Sequence, residues 1–169
     1  MGTLRLNTIQ NPSGTTAMTI NEDTGIPNFP VGLTGGGKLL NMGFSHYTTA
    51  LALTTSFQTI NTVTMTPASA TSKFICLVTA TFYHGGTTTV GVTSLNRNGT
   101  YLYEAADWWN PSGTGIPGSA SLNYVDQPNT TSAVTWTQDV KEEVGDGATN
   151  KDYSGTNNGV CTLIVMEIA

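Results

Sequence analysis

The clearest pattern in the chain is the run Lys73–Tyr83, KFICLVTATFY. Phe74, Cys76, Val78, Ala80 and Phe82 fall on one side of an extended strand, and Ile75, Leu77, Thr79, Thr81 and Tyr83 on the other. Its first half is apolar on both sides, which predicts a central strand. The segment Gly159–Ile168, with VCTLIVMEI nearly all apolar, predicts a second one at the end of the chain. Weaker alternation predicts strands over Tyr47–Leu53, Phe57–Met65, Thr87–Leu95, Tyr101–Trp108, Ala120–Val125 and Ser132–Val140. Between the strands ending at Leu95 and starting at Tyr101 stands Asn96-Arg97-Asn98-Gly99, whose Asn-Gly pair suits the positive φ angles of a tight hairpin turn. NPSGTGIPGS and the acidic, glycine-rich stretch Glu142–Gly155 read as loops, and no segment keeps a helical period.

About eight to nine strands with turns roughly every 8–12 residues predict an all-β protein with a jelly-roll β-sandwich head over residues 37–169. Residues 1–36 differ. They hold two short alternating runs, Thr3–Leu6 and Ala17–Ile20, separated by NPSGTT and followed by IPNFPVGLTGGG, which predicts an extended N-terminal arm ending in a hinge at Gly35–Gly37. Composition supports a strand-and-turn protein: Thr (31), Ser (11), Asn (14) and Gly (19) make up 75 of the 169 residues, a mixture that disfavours helix. Only 38% of residues are hydrophobic, so the core is slim. Yet Phe74–Leu77 and Val160–Ile168 carry apolar residues on both faces, an excess that closed threefold self-assembly would bury. A homotrimer is therefore expected.

Charge removes several function classes. Six Lys and Arg stand against eleven Asp and Glu, a net −5, with no basic cluster to meet a phosphate backbone or an anionic lipid surface, so neither nucleic-acid binding nor membrane insertion is expected. No apolar run is long enough to span a bilayer, and MGTLRLNTIQ lacks the apolar stretch of a secretion signal, which points to synthesis in a cytoplasm. Cys76 and Cys161 lie within apolar strands and read as buried thiols.

Candidate chemistry is sparse. His46 and His84 have no Cys, Asp or Glu at ligand spacing, so no metal site is predicted. Glu104 and Asp107 are three apart on one strand and face opposite ways, which argues against a glycosidase pair and for solvated charges. Glu142, Glu143, Asp146, Asn150 and Asp152 crowd one loop, but their spacing fits no EF-hand, and an acidic solvated loop is the simpler reading. No nucleophile elbow, phosphate-binding loop or dinucleotide fingerprint occurs, so no catalytic residue and no cofactor are assigned. Trp108 and Trp109 stand out because adjacent strand residues face opposite ways, which leaves one indole outside the core on a surface of Thr, Asn and Gly. Such an indole serves either a subunit interface or a sugar-stacking platform, and Tyr101, Tyr103 and Tyr124 would extend it.

Four stretches in order, TLRLNTIQNPSGTTAMTI, GGGKLLNMGFS, TPASATSKFICLVTATF and CTLIVMEIA, together resemble phage virion proteins of the tail-fibre or appendage type, whose heads resemble the trimeric jelly-roll knobs of the C1q and tumour-necrosis-factor kind. The segment around Trp108, Trp109 and NPSGTGIPGS departs from that pattern. The resemblance implies a non-enzymatic virion component, a tail fibre or similar appendage. Its arm, through Leu4, Leu6 and Ile9, would anchor it to tail or capsid proteins, and its head, through Trp108, Trp109, Tyr101 and Tyr103, would meet host-surface polysaccharide. A capsid decoration or head-fibre protein is the alternative, and a polysaccharide depolymerase knob is a third, disfavoured by the split acid pair.

Overall fold

The computed structural model describes residues 8–10, 16–20, 27–28, 38–84, 89–109, 116–144, 147–149 and 159–169, and the chain divides into two units, Met1–Lys38 and Leu39–Ala169. In the first, the described residues are three short strands, β1 (Thr8–Gln10), β2 (Thr16–Ile20) and β3 (Pro27–Asn28). They pair antiparallel in that order, with Ile9 opposite Met18 and Ile20 opposite Pro27. Leu4, Leu6 and the glycines 35–37 lie outside the described residues.

The second unit is all β among its described residues. Its strands are β4 (Leu39–Tyr47), β5 (Leu51–Ala52), β6 (Gln58–Met65), β7 (Lys73–His84), β8 (Thr89–Arg97), β9 (Thr100–Trp109), β10 (Ile116–Asp126), β11 (Val134–Val144), β12 (Gly147–Thr149) and β13 (Cys161–Ile168). Two antiparallel sheets result, β4-β13-β7-β10 and β6-β11-β8-β9, with β12 and β5 continuing the first sheet past the end of β13. Counted along the chain, the eight long strands run 1-8-3-6 in one sheet and 2-7-4-5 in the other, the strand order of a jelly roll. As predicted, β7 and β13 are central. The β8–β9 turn also forms as predicted, with Asn98 and Gly99 at φ 48° and 78°. Asn98 is locked further because its side-chain oxygen accepts the Thr135 amide at 2.9 Å.

Burial follows the period of two. The inward residues of β7, β11 and β13 include Phe74, Cys76, Val78, Val134, Trp136, Leu163 and Val165, all buried, and the Phe74 and Trp136 rings lie 4.7 Å apart. Each such large apolar side chain contributes about 1.5–3 kcal/mol by leaving water. A second apolar cluster, Leu53, Ala80, Phe82, Ala120, Val140 and Cys161, fills the other end of the sandwich. Between them runs a buried polar chain. Asn61 Nδ2 donates to Gln138 Oε1 at 2.8 Å and to the Cys161 carbonyl at 3.1 Å, and Gln138 Nε2 donates to the Thr79 carbonyl at 2.9 Å and to Thr93 Oγ1 at 3.1 Å. The chain ties β6 and β11 of one sheet to β7 and β13 of the other.

Three boundaries differ from the sequence expectation. The first head strand is Leu39–Tyr47, and the predicted Tyr47–Leu53 strand is mostly the link from β4 to the two-residue β5. The pattern of β4 misleads because it is inverted: its inward positions include Gly43 and Ser45, while Leu40, Met42 and Phe44 face out. Gly43 is required there, since a Cβ would sit 2.6 Å from Val63 Cγ1. β10 begins at Ile116, inside the stretch read as a loop, because an edge strand tolerates Pro117. β11 and β12 extend into the stretch read as an acidic loop.

Candidate functional surfaces

β9 is the edge of the second sheet and carries all four residues singled out for ligand binding. Tyr101 and Tyr103 are 52% and 59% exposed, unusual for phenol rings, and Tyr103 stacks on Tyr124 of β10 with centroids 6.4 Å apart and planes at 25°. The stacking spans the open side of the sandwich, from the edge of one sheet to the edge of the other. Partial burial, and then the neighbouring Glu104 carboxylate that accepts its hydroxyl hydrogen bond, push the Tyr101 phenol up from its ordinary value, so the hydroxyl remains a donor. Trp108 and Trp109 end the strand, opposite Val90 and Thr89; their indoles lie outside the described residues. Five to six residues of strand, roughly 17–20 Å, separate them from Tyr103. The structure therefore brings Tyr103 and Tyr124 together, places Tyr101 two positions along the strand beyond a register shift, and leaves the tryptophans at the far end of β9.

Glu104 is exposed, but Asp107 does not belong with the solvated charges. Its Oδ2 lies 2.9 Å from Nε2 of His84, a histidine only 1% exposed. His84 ends β7 in one sheet and Asp107 sits on β9 in the other, so the pair bridges the two sheets. Gly118 of β10 makes room for it, since a Cβ there would collide with the Asp107 carboxylate and with His84 Nε2. The signal was present in the sequence: His84 continues the inward series 74, 76, 78, 80, 82, and an inward histidine requires a polar partner.

Two further buried carboxylates have structural partners. Asp126 accepts from Arg97 Nη1 at 2.6 Å and from Trp136 Nε1 at 2.9 Å, and Glu167 accepts the Ala68 amide at 2.6 Å, which pins the link between β6 and β7. Cys76 and Cys161 are buried and unbridged. Burial first, and then the negative Asp126, push the Cys76 thiol up to about 12, and burial raises Cys161 as well, so neither is a nucleophile at neutral pH. Among the described residues no group of three or more His, Cys, Asp or Glu is placed to hold a metal ion; Asp146, Asn150 and Asp152 lie outside them.

No protein-family model matches the chain, and no curated protein sequence matches it. Solved structures with a similar course of strands include infectious bursal disease virus of the Gt strain (12% identity, TM-score 0.41, 91% of this chain and 47% of that one). The VP2 subviral particle of the same virus gives 13% identity and a TM-score of 0.38, over 83% of this chain and 40% of that one. Its Gx strain gives 10% and 0.37, over 77% and 42%. The chain thus spans less than half the length of these virus proteins, and the jelly-roll assignment rests on its own strand order, not on this likeness.

Proposed function

We propose that the protein is a structural component of a phage particle, a tail fibre or similar appendage, assembled as a trimer, with the N-terminal unit attached to the particle and the jelly-roll head displayed. One observation carries this reading. The chain divides at Lys38 into a small N-terminal unit and a jelly-roll head, and the four phage-appendage motifs fall in the same order across both. The role is mechanical and needs no reaction. The head would contact neutral host polysaccharide at the Tyr103 and Tyr124 edge, with Tyr101 alongside, where phenol rings offer stacking faces and the neighbouring Arg97 is already paired with Asp126. Three modest sites acting together would supply avidity.

The test is genetic and biochemical. Particles made without this gene are supplied with either the whole chain or residues 39–169, and the purified particles are analysed by mass spectrometry. Incorporation of the whole chain and loss of the shortened one supports the reading. Absence of the whole chain from particles overturns it. Incorporation of the shortened chain moves attachment to the head and favours a capsid-decoration role.

A further inference from the structure

One end of the outward face of the first sheet is apolar across its four strands. The register aligns Phe44 with Ile164 and Ile164 with Leu77 in one row, and Met42, Met166, Ile75 and Val125 in the next. Phe44, Met42 and Val125 are 64%, 53% and 60% exposed, while Ile75, Leu77, Ile164 and Met166 are half-buried by their neighbours alone. Leu39 and Leu40 extend the patch at the β4 edge. None of these side chains takes part in the core clusters, which lie on the inner side of the same strands.

We infer that this face is where copies of the chain pack against one another. Strands about 4.8 Å apart, with same-face residues about 6.8 Å apart along each, make the patch roughly 20 Å wide and 15–20 Å tall. With side-chain relief that is on the order of 400–500 Å² of apolar surface, at the upper end of what a monomer exposes. A stable interface needs about 800 Å² from each partner, with an apolar centre inside a polar rim. A polar border is present: His46, Thr162, Thr79 and Ser121 form the next row on one side, Asn123 ends the Leu77 row on β10, all exposed or half-buried, and Lys73 at the opposite margin is the one charged outward residue of β7.

A second copy is the occupant these features select. The face carries no charge pattern to recognise a differently charged partner. It is a four-stranded sheet face, and sheets pack face to face at about 10 Å through interdigitated apolar side chains. One of its margins is β4, a nine-residue edge strand with outward Leu40, Met42 and Phe44 and no partner on its far side among the described residues. An exposed apolar edge of that kind invites uncontrolled pairing, and a symmetric assembly of copies covers it. The inference deepens the trimer reading by naming its contact surface, but it does not depend on where in a particle the protein sits.

The experiment measures the mass of the whole chain at micromolar concentration by size-exclusion chromatography with light scattering. The wild type should give a discrete multiple of 17.8 kDa, threefold on the reading above. Phe44→Lys with Val125→Lys should give the single-chain mass, with the far-ultraviolet circular dichroism of the wild type, because both side chains are exposed in the isolated fold. Thr62→Lys, on the outward face of the other sheet, should keep the wild-type mass. If the double lysine variant does not fold, Phe44→Ser with Val125→Ser decides, with at least a tenfold weaker self-association expected. A wild type of single-chain mass, or a folded double variant that associates as the wild type does, overturns the inference. Neither result bears on particle incorporation, so the two proposals fail separately.

Discussion

Gln138 is fully buried at the centre of the sandwich, and its replacement by Leu tests whether the polar chain between the two apolar clusters holds the sheets in register. Leu fills a similar volume, so no large cavity is created. What is lost is one acceptor and two donors: Asn61 Nδ2 keeps only the Cys161 carbonyl, and Thr79 O and Thr93 Oγ1 lose the amide that donates to both. A buried group left without its partner costs about 1–3 kcal/mol, while removing the amide of Gln138 itself relieves part of its own desolvation. The net expectation for Gln138→Leu is a loss of about 2–4 kcal/mol, or ~6–12 °C in Tm for a chain of this size. Asn61→Leu with Gln138→Leu removes both amides, and the double loss should fall short of the sum of the single losses by about 0.5–3 kcal/mol, the coupling typical of groups in one network. The assay is urea unfolding at a fixed protomer concentration, since self-association adds to apparent stability. A Gln138→Leu variant within about 0.5 kcal/mol of wild type, or strictly additive losses, would refute the reasoning.

Asp107→Ala removes the carboxylate held by His84 across the two sheets, and a loss of about 1–3 kcal/mol is expected by thermal unfolding; an unchanged melt would deny the bridge any stabilising role. The Cys76 thiol keeps its proton up to about pH 12 in the fold but titrates near 9.0 once exposed. Between those values the unfolded chain binds fewer protons, so stability falls as pH rises, by at most ~1.4 kcal/mol per pH unit. The stability difference between wild type and Cys76→Val should therefore change from about pH 8 to about pH 10.5, and parallel curves would contradict the burial argument. Tyr103→Ala breaks the stacked pair with Tyr124, and should reduce attachment to host cells by about 1–3 kcal/mol per site while the chain stays folded; adsorption equal to wild type would remove the tyrosine edge from the receptor account.

Much of the head was legible because period-two alternation survives wherever the inward residue is large. β7, β11 and β13 announce themselves through Phe74, Trp136 and Leu163, and the β8–β9 hairpin through Asn98-Gly99. β4 was not legible as the first head strand because its large residues face outward and its inward ones are small, the reverse of the usual signal. The start of β10 was hidden by Pro117 and Gly118, which read as loop in the sequence; here the glycine serves the His84–Asp107 bridge and the proline sits on a sheet edge. Inward polar residues such as His84, Asn61 and Gln138 were visible as exceptions within apolar series. Their partners were not, because the pairs join residues 23 and 77 positions apart and only the sheet packing brings them together. The apolar outer face was foreseen as an excess of apolar residues. Its extent over four strands needed the register of β13 against both β4 and β7.

The measurement that tests the central claim most directly is cryo-electron microscopy of purified particles, with and without an antibody fragment against the head. The account predicts a jelly-roll density projecting from the particle, joined at its Leu39 end to a smaller density on the particle surface, with the fragment bound at the outer tip. Particles that lack this density and do not bind the fragment would contradict it.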